Sequence, residues 1–170
     1  SSVVGSGCVE AIEVDGAGRI WLGIDGDLWR YVPGQGWEEF AHPDVALPQD
    51  TRWGYIVDLV LGGDGEVWVT MAPCGGASCG VGLFQLFHVR EGSWTHLDLS
   101  QSGSEAAWVA LALDQQGKGW ACAGNTLYEV VASAMTPVYA SDGFACRLER
   151  SSSGHTRLWQ PGLTGLWVTR

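Results

Sequence analysis

Along most of the chain, apolar residues alternate with polar ones in short runs that end in glycine or aspartate-glycine. That is the period-two signature of strands closed by tight turns, and no amphipathic helix is apparent. The runs fall into four similar groups. "VEAIEV", "IVDLVL", "VALAL" and "CRLER" predict a first strand in each group and place Ile12, Leu59, Leu111 and Leu148 at one equivalent position. Second strands follow as "RIWLGI", "EVWVTM", "KGWACAG" and "TRLWQPG", and third strands as "DLWRYV", "GLFQLFHV", "TLYEVV" and "GLWVTR". Outer fourth strands are predicted at "GWEEFA", "SWTHLDL" and "TPVYA", and the last group has none.

The groups share a turn glycine, a lead tryptophan and a later Leu-aromatic pair: Gly18, Trp21, Leu28-Trp29; Gly65, Trp68, Leu83-Phe84; Gly117, Trp120, Leu127-Tyr128; Gly154, Trp159, Leu166-Trp167. The lead tryptophans lie 47, 52 and 39 residues apart, a spacing that brackets one four-stranded propeller blade. The expected fold is all-β: one β-propeller domain over 1–170, with about four blades of four antiparallel strands at 8–42, 54–100, 107–141 and 144–170. The segment Ser1 to Val4 is expected to supply the missing outer strand and close the ring. Two rival arrangements remain: two chains combining into an eight-bladed ring, or a chain that forms part of a larger one. In either case the glycines answer the need for positive φ in tight turns. The lead tryptophans fill the wedge between adjacent twisted sheets.

These motifs resemble the repeats of the two-component regulator propeller family, whose blades carry a D-x-x-G-x-[LI]-W-[VI]-G-T segment followed by G-L-x-x-[YF]. The nearest matches are "DGAGRIWLGIDGDLWRY" and "GGDGEVWVTM" with "GLFQLF". "DQQGKGWACAGNTLYEV" keeps the skeleton, whereas "SSGHTRLWQPGLTGLWVTR" inserts two residues between glycine and tryptophan. The resemblance implies that loops entering the first strands, and those joining second to third strands, gather on one binding face. Here that face would be made by "DTRWGY", "SEAAW", "SDGF", "GSGCVE", "IDGD", "PCGGASCG", "GN" and "PGLT". On it, Arg52, Trp53, Tyr55, Glu105, Trp108, Phe144 and Arg147 form the expected ligand site, an aromatic floor with a few charges suited to a small molecule, a glycan or a protein. For Trp108 and Phe144 the competing role is to plug a narrow central channel.

Composition narrows the partners. The chain holds 25 Gly and 10 Trp with only 16% charged residues, and its 46% hydrophobic content is enough to build a core. A formal net charge of −10 and a pI near 4.6 exclude nucleic acid and disfavour an anionic membrane surface, since both need clustered Lys and Arg. Apolar runs such as Trp108 to Leu113 are too short for membrane insertion. The chain begins "SSVVGSG" without Met or a signal-like segment, so an export signal is expected to have been removed or never present. Of five cysteines, Cys74 and Cys79 are expected to form a disulfide, which suits an extracytoplasmic setting, periplasmic or secreted; the other three are most simply small core residues.

No metal site is expected, because the C-x4-C spacing lacks a second ligand pair. No cofactor is expected either. None of His42, His88, His96 and His155 stands beside an evident nucleophile, and neither G-x-S-x-G nor H-E-x-x-H occurs. Glu38 and Glu39 are adjacent on a strand and point to opposite faces, so they cannot work as an acid/base pair. The leading functional expectation is therefore a non-catalytic, sensor-like recognition module. Its alternatives are a propeller-type lyase or hydrolase using His155 or His88, and an architectural module for oligomerisation that forms a homodimer.

Overall fold

A computed structural model of the chain describes residues 7–41, 51–75, 78–79, 84–97, 109–113, 118–131, 134–140, 147–150, 156–159 and 167–168. Sheet 1 runs in sequence order through β1 (Val9–Val14), β2 (Ile20–Ile24), β3 (Asp27–Val32) and β4 (Gly36–Phe40). In sheet 2 the order is β5 (Thr51–Leu61), β6 (Val67–Gly75), β8 (Gln85–Arg90) and β9 (Ser93–Leu97), with β7 (Ser78–Cys79) paired to β6 off that path. Sheet 3 comprises β10 (Val109–Leu113), β11 (Gly119–Ala123), β12 (Thr126–Val131) and β13 (Ala134–Ala140). Sheet 4 has β14 (Arg147–Arg150), β15 (Thr156–Trp159) and β16 (Trp167–Val168). Strand pairing is antiparallel in all four sheets, and the described residues include no α-helix, only a 3-10 turn at Gly63–Gly65.

The chain is thus all-β, with the strand groups in the order their hydrophobic pattern implies. Among the described residues sheet 4 has three strands, as its missing fourth apolar run implies, and no strand joins it to sheet 1 to close the expected ring. Ser1 to Val4, the expected donor, lies outside the described residues. Two segments expected as loops are instead strand: "DTRWGY" enters β5 at Thr51, and "PCGGASCG" contributes the end of β6 and all of β7. The ladder carries on past the apolar core because Thr51, Arg52 and Trp53 find backbone partners in Gly75, Cys74 and Pro73.

Turn chemistry is explicit in sheet 1. The Asp15 carboxylate accepts the backbone N–H groups of Ala17 (2.9 Å) and Arg19 (3.0 Å), pairs with the Arg19 guanidinium, and accepts the Trp21 indole N–H at 3.4 Å. One aspartate therefore fixes both the turn and the tryptophan that follows it. Gly18 sits at φ +76°, where a side chain would be strained. Burial pushes the Asp15 carboxyl up, but its hydrogen bonds from Arg19, Ala17 and Trp21 outweigh that and hold it below the usual carboxylate range.

Register shows how the sheets stack. In sheet 1 the row Glu13, Trp21, Arg30 and the row Ala11, Gly23, Leu28, Phe40 lie on one face. Trp21, Leu28 and Phe40 from that face pack on Ile56, Leu59, Val67, Val69, Met71, Phe87 and Val89 of sheet 2. The opposite face of sheet 2, with Val60, Trp68, Ala72, Leu86 and Leu97, packs on Leu111, Leu113, Ala121, Ala123, Tyr128 and Val130 of sheet 3. Beyond it, Ala110 and Cys122 of sheet 3 meet Leu148 of sheet 4. The tryptophans Trp21 and Trp68 each sit in the layer between their own sheet and the next. Trp21 stacks on Phe40 at 5.7 Å between centroids, and the Arg30 guanidinium lies 5.1 Å from the Trp21 ring.

Sheets 1 and 2 meet most closely at Gly23, where an added Cβ would lie 2.7 Å from Cβ of Ile56, a side chain with no solvent exposure. Gly23→Ala is expected to destabilise the fold by about 1–3 kcal/mol, since a packed core absorbs an extra methyl only by shifting. Denaturant unfolding of a double-mutant cycle checks the cause: in an Ile56→Gly background, which removes the Cβ that the new methyl would meet, the same substitution costs less.

Candidate functional site

β5 is the longest strand among the described residues, eleven residues against two to seven in the other first, third and fourth strands. Its partner β6 pairs with β8 only over Val67 to Met71, so Ala72 to Gly75 and their partners on β5 extend past β8 as a ribbon, which β7 joins at Cys74 and Gly75. At about 3.3 Å per residue, the overhang is on the order of 13 Å. A register shift between Trp53 and Tyr55 leaves Gly54 as the unpaired residue. A Cβ there would lie 1.9 Å from Sγ of Cys74 and 3.0 Å from the carbonyl oxygen of Ala72. Glycine at this point makes room for the sulfur. Cys74 is buried and disulfide-bonded, and in the ladder it stands opposite Cys79.

Three expected site residues come together on this ribbon. Arg52 pairs with Cys74, Trp53 with Pro73 and Tyr55 with Ala72 along the backbone. Tyr55 is partly buried and packs against the cluster between sheets 2 and 3, so its ring also serves the core. Arg147 is the first residue of β14, opposite Trp159. Glu105, Trp108 and Phe144 lie outside the described residues. Cys122, expected to be a plain core thiol, is corrected: it is buried and disulfide-bonded, while Cys8 is an exposed free thiol.

Beneath the ribbon, two carboxylates tie the first strands of neighbouring sheets together. Oε2 of Glu10 on β1 accepts the backbone N–H of Ile56 on β5 at 2.8 Å. Asp58 on β5 accepts the N–H of Leu59 at 3.0 Å with one oxygen and that of Leu111 on β10 at 3.3 Å with the other. Glu10 is the unpaired residue of a register shift between Val9 and Ala11, whereas Asp58 is paired with Thr70 directly after a shift that leaves Val57 unpaired. Burial pushes the Asp58 carboxyl above its usual range, and its two backbone donors do not compensate. Glu10 is raised too, by burial and by the like charge of Asp25, against N–H donors from Ile56 and Gly26. Sequence reading missed both residues, although a carboxylate inside the first apolar run of groups one and two was the available signal. Thr70, opposite Asp58 in the ladder, is fully buried and its hydroxyl has no hydrogen-bond partner among the described residues.

The histidines offer a different setting. The His88 ring stacks on Trp68 at 4.3 Å between centroids, is nearly buried, and its Nε2 stands 3.6 Å from Glu66, beyond hydrogen-bond reach. Nε2 of His96 lies 2.5 Å from Oε1 of Gln85. His42 and His155 lie outside the described residues. Among the described residues no three His, Cys, Asp or Glu side chains gather as a metal site, and no helix is long and apolar enough to cross a membrane.

No family model and no curated protein matches the chain. Solved structures do. PorZ, a surface component of the type-IX secretion system of Porphyromonas gingivalis, is 20% identical with a TM-score of 0.61, over 94% of this chain and 25% of that one. The extracellular domain of BT4673 from B. thetaiotaomicron, assigned as a one-component system, is 16% identical with a TM-score of 0.58, over 95% of this chain and 21% of that one. A protein assigned as a gluconolactonase is 15% identical with a TM-score of 0.56, over 94% of this chain and 59% of that one. At these identities the likeness is one of fold, a propeller-like stack of antiparallel sheets. The chain spans about a quarter or less of the length of the first two proteins.

The raised Asp58 and Glu10 carboxyls set a pH dependence. A group whose proton is held more tightly in the folded state adds stability below its unfolded pKa, and that contribution is lost as pH rises through the folded value. Asp58→Asn keeps an acceptor without the buried charge, so in denaturant melts at neutral pH it is expected to be neutral or stabilising by up to about 1 kcal/mol and to flatten the loss of stability above pH 4. Asp58→Ala leaves the Leu59 and Leu111 N–H groups without that acceptor and is expected to cost about 1–3 kcal/mol.

Proposed function

We propose that the chain is a non-catalytic recognition module of the two-component regulator propeller kind, working outside the cytoplasm, that binds a small molecule, a glycan or a protein at the end where β1, β5, β10 and β14 begin. The observation that carries this reading is the ribbon of Thr51 to Tyr55 and Ala72 to Gly75, which lifts Arg52 and Trp53 beyond a packed sheet. A tryptophan and an arginine on a rigid support supply stacking, apolar contact and directed hydrogen bonds at low entropic cost. Trp108, Glu105, Phe144 and Arg147 complete the proposed face. The likeness in fold to the extracellular domain of BT4673 supports a sensor-like role in an extracytoplasmic setting.

The disulfide proposed for the ribbon joins Cys74 to Cys79, which the ladder sets opposite each other. It would hold the end of the hairpin in shape. The lyase or hydrolase reading has less support from His88, whose ring lies in the layer between sheets 2 and 3 with Trp68 rather than on the ribbon.

A panel of oligosaccharides, short peptides and aromatic metabolites, screened by titration calorimetry, tests the site. The ligand found is expected to lose about tenfold or more in affinity with Trp53→Ala or Trp108→Ala, as for an aromatic anchor. Unchanged affinity in both variants would remove the proposed face. Turnover of a ligand that disappears with His88→Ala or His155→Ala would favour the enzyme. For the ribbon, a non-reduced digest is expected to yield a peptide pair linked through Cys74 and Cys79, and Cys74→Ser to lower stability by about 2–4 kcal/mol.

A further inference from the structure

Of the five cysteines in the chain, Cys74 and Cys122 are disulfide-bonded and Cys8 is an exposed free thiol. Strand alternation decides which of the others Cys122 can reach. β11 pairs with β10 and β12 without a register shift, so Ala121 and Ala123 stand on one face of sheet 3 and Cys122 on the other. Ala121 and Ala123 pack, with Leu111 and Tyr128, against Trp68, Leu86 and Leu97 of sheet 2. Cys122 shares a row with Ala110 and Leu127, faces away from sheet 2, and packs with Leu148 of sheet 4. Both Cys74, on β6, and Cys79, on β7, belong to sheet 2. Bonded cysteines have Cα atoms within about 7 Å of each other, whereas packed sheets lie about 10 Å apart. A thiol on the far face of sheet 3 therefore reaches neither.

We infer that Cys122 is bonded to Cys146, so that a disulfide ties sheet 4 to sheet 3. Elimination leaves Cys146 as the partner, and the spacing along the chain agrees with it. Cys146 itself lies outside the described residues, but it stands two before Leu148, and a strand sets residues so spaced on one face. Leu148 is the residue of β14 that packs on Cys122. Cys79 is then left for Cys74, its partner in the ladder. The bond forms by exchange: the two thiols together give up two electrons and two protons to an external disulfide, which leaves as two thiols. It would close residues 122–146 into a loop around β12 and β13, and would anchor β14 directly before Arg147. The inference rests on the two faces of sheet 3, whatever the chain binds.

Digestion of the non-reduced, alkylated protein with a glutamate-specific protease tests the pairing, because cleavage after Glu129 separates the two cysteines. Mass spectrometry is expected to find fragment 106–129 joined to fragment 130–149, and Cys8 alkylated. Fragment 106–129 joined instead to fragment 67–91, which holds Cys74 and Cys79, would overturn the inference, and so would its recovery with an alkylated Cys122. Thermal melts give a second reading. Cys146→Ala is expected to lower the melting temperature by about 5–10 °C, and to lower it no further once Cys122→Ala has already removed the bond. An equal drop in both backgrounds would contradict the pairing.

Discussion

A sheet with two apolar faces cannot stand alone in water, and in this chain sheets 2 and 3 acquire their cover from the sheets before and after them in sequence. The layers are apolar, but their spacing is fixed by a polar contact: a carboxylate on one first strand that accepts a backbone N–H from the next. Glu10 reaches Ile56 and Asp58 reaches Leu111. An apolar layer is tolerant of sliding, whereas a hydrogen bond to a particular amide is not. The carboxylates therefore set register between sheets that the tryptophan layers would otherwise hold only loosely. Such a buried charge is costly by itself, and its raised proton affinity records that cost.

From this frame the rest follows in order. With sheet 2 held on both sides by carboxylates, its first two strands extend beyond the packed layers without losing alignment. Gly54 and Cys74 meet in the extension, where the glycine yields space to the sulfur. Arg52 and Trp53 ride on that ribbon. The stack acts as a fixed support, and the recognition proposed for this chain would sit on the part that extends from it.

Much of the architecture was legible in the sequence because turns and layers leave separate marks. Gly18 and Gly65 adopt the positive φ that the turn pattern required, and Trp21 and Trp68 lie in the inter-sheet layers where their recurrence placed them. The extension of sheet 2 was not legible. "DTRWGY" and "PCGGASCG" are polar and glycine-rich, so nothing in their hydrophobic pattern distinguishes a ribbon from a loop; only the pairing of Arg52 with Cys74 and Trp53 with Pro73 does. Glu10 and Asp58 escaped notice for a related reason. A carboxylate in an alternating strand reads as solvent-facing, and neither the register shift at Glu10 nor the covering of both faces of the sheet around Asp58 can be seen in composition. Ring closure is a property of the terminal sheets, and periodicity alone fixes no partner for them.

Amide hydrogen exchange at Ile56 and Leu111 tests the central claim most directly, because these are the two protons donated across the sheets to Glu10 and Asp58. If the carboxylates lock the stack, both amides exchange only through global unfolding, with the same protection as the central strand residues Val69 and Ala121. Exchange at either amide as fast as at the exposed outer strand β13 would contradict the account.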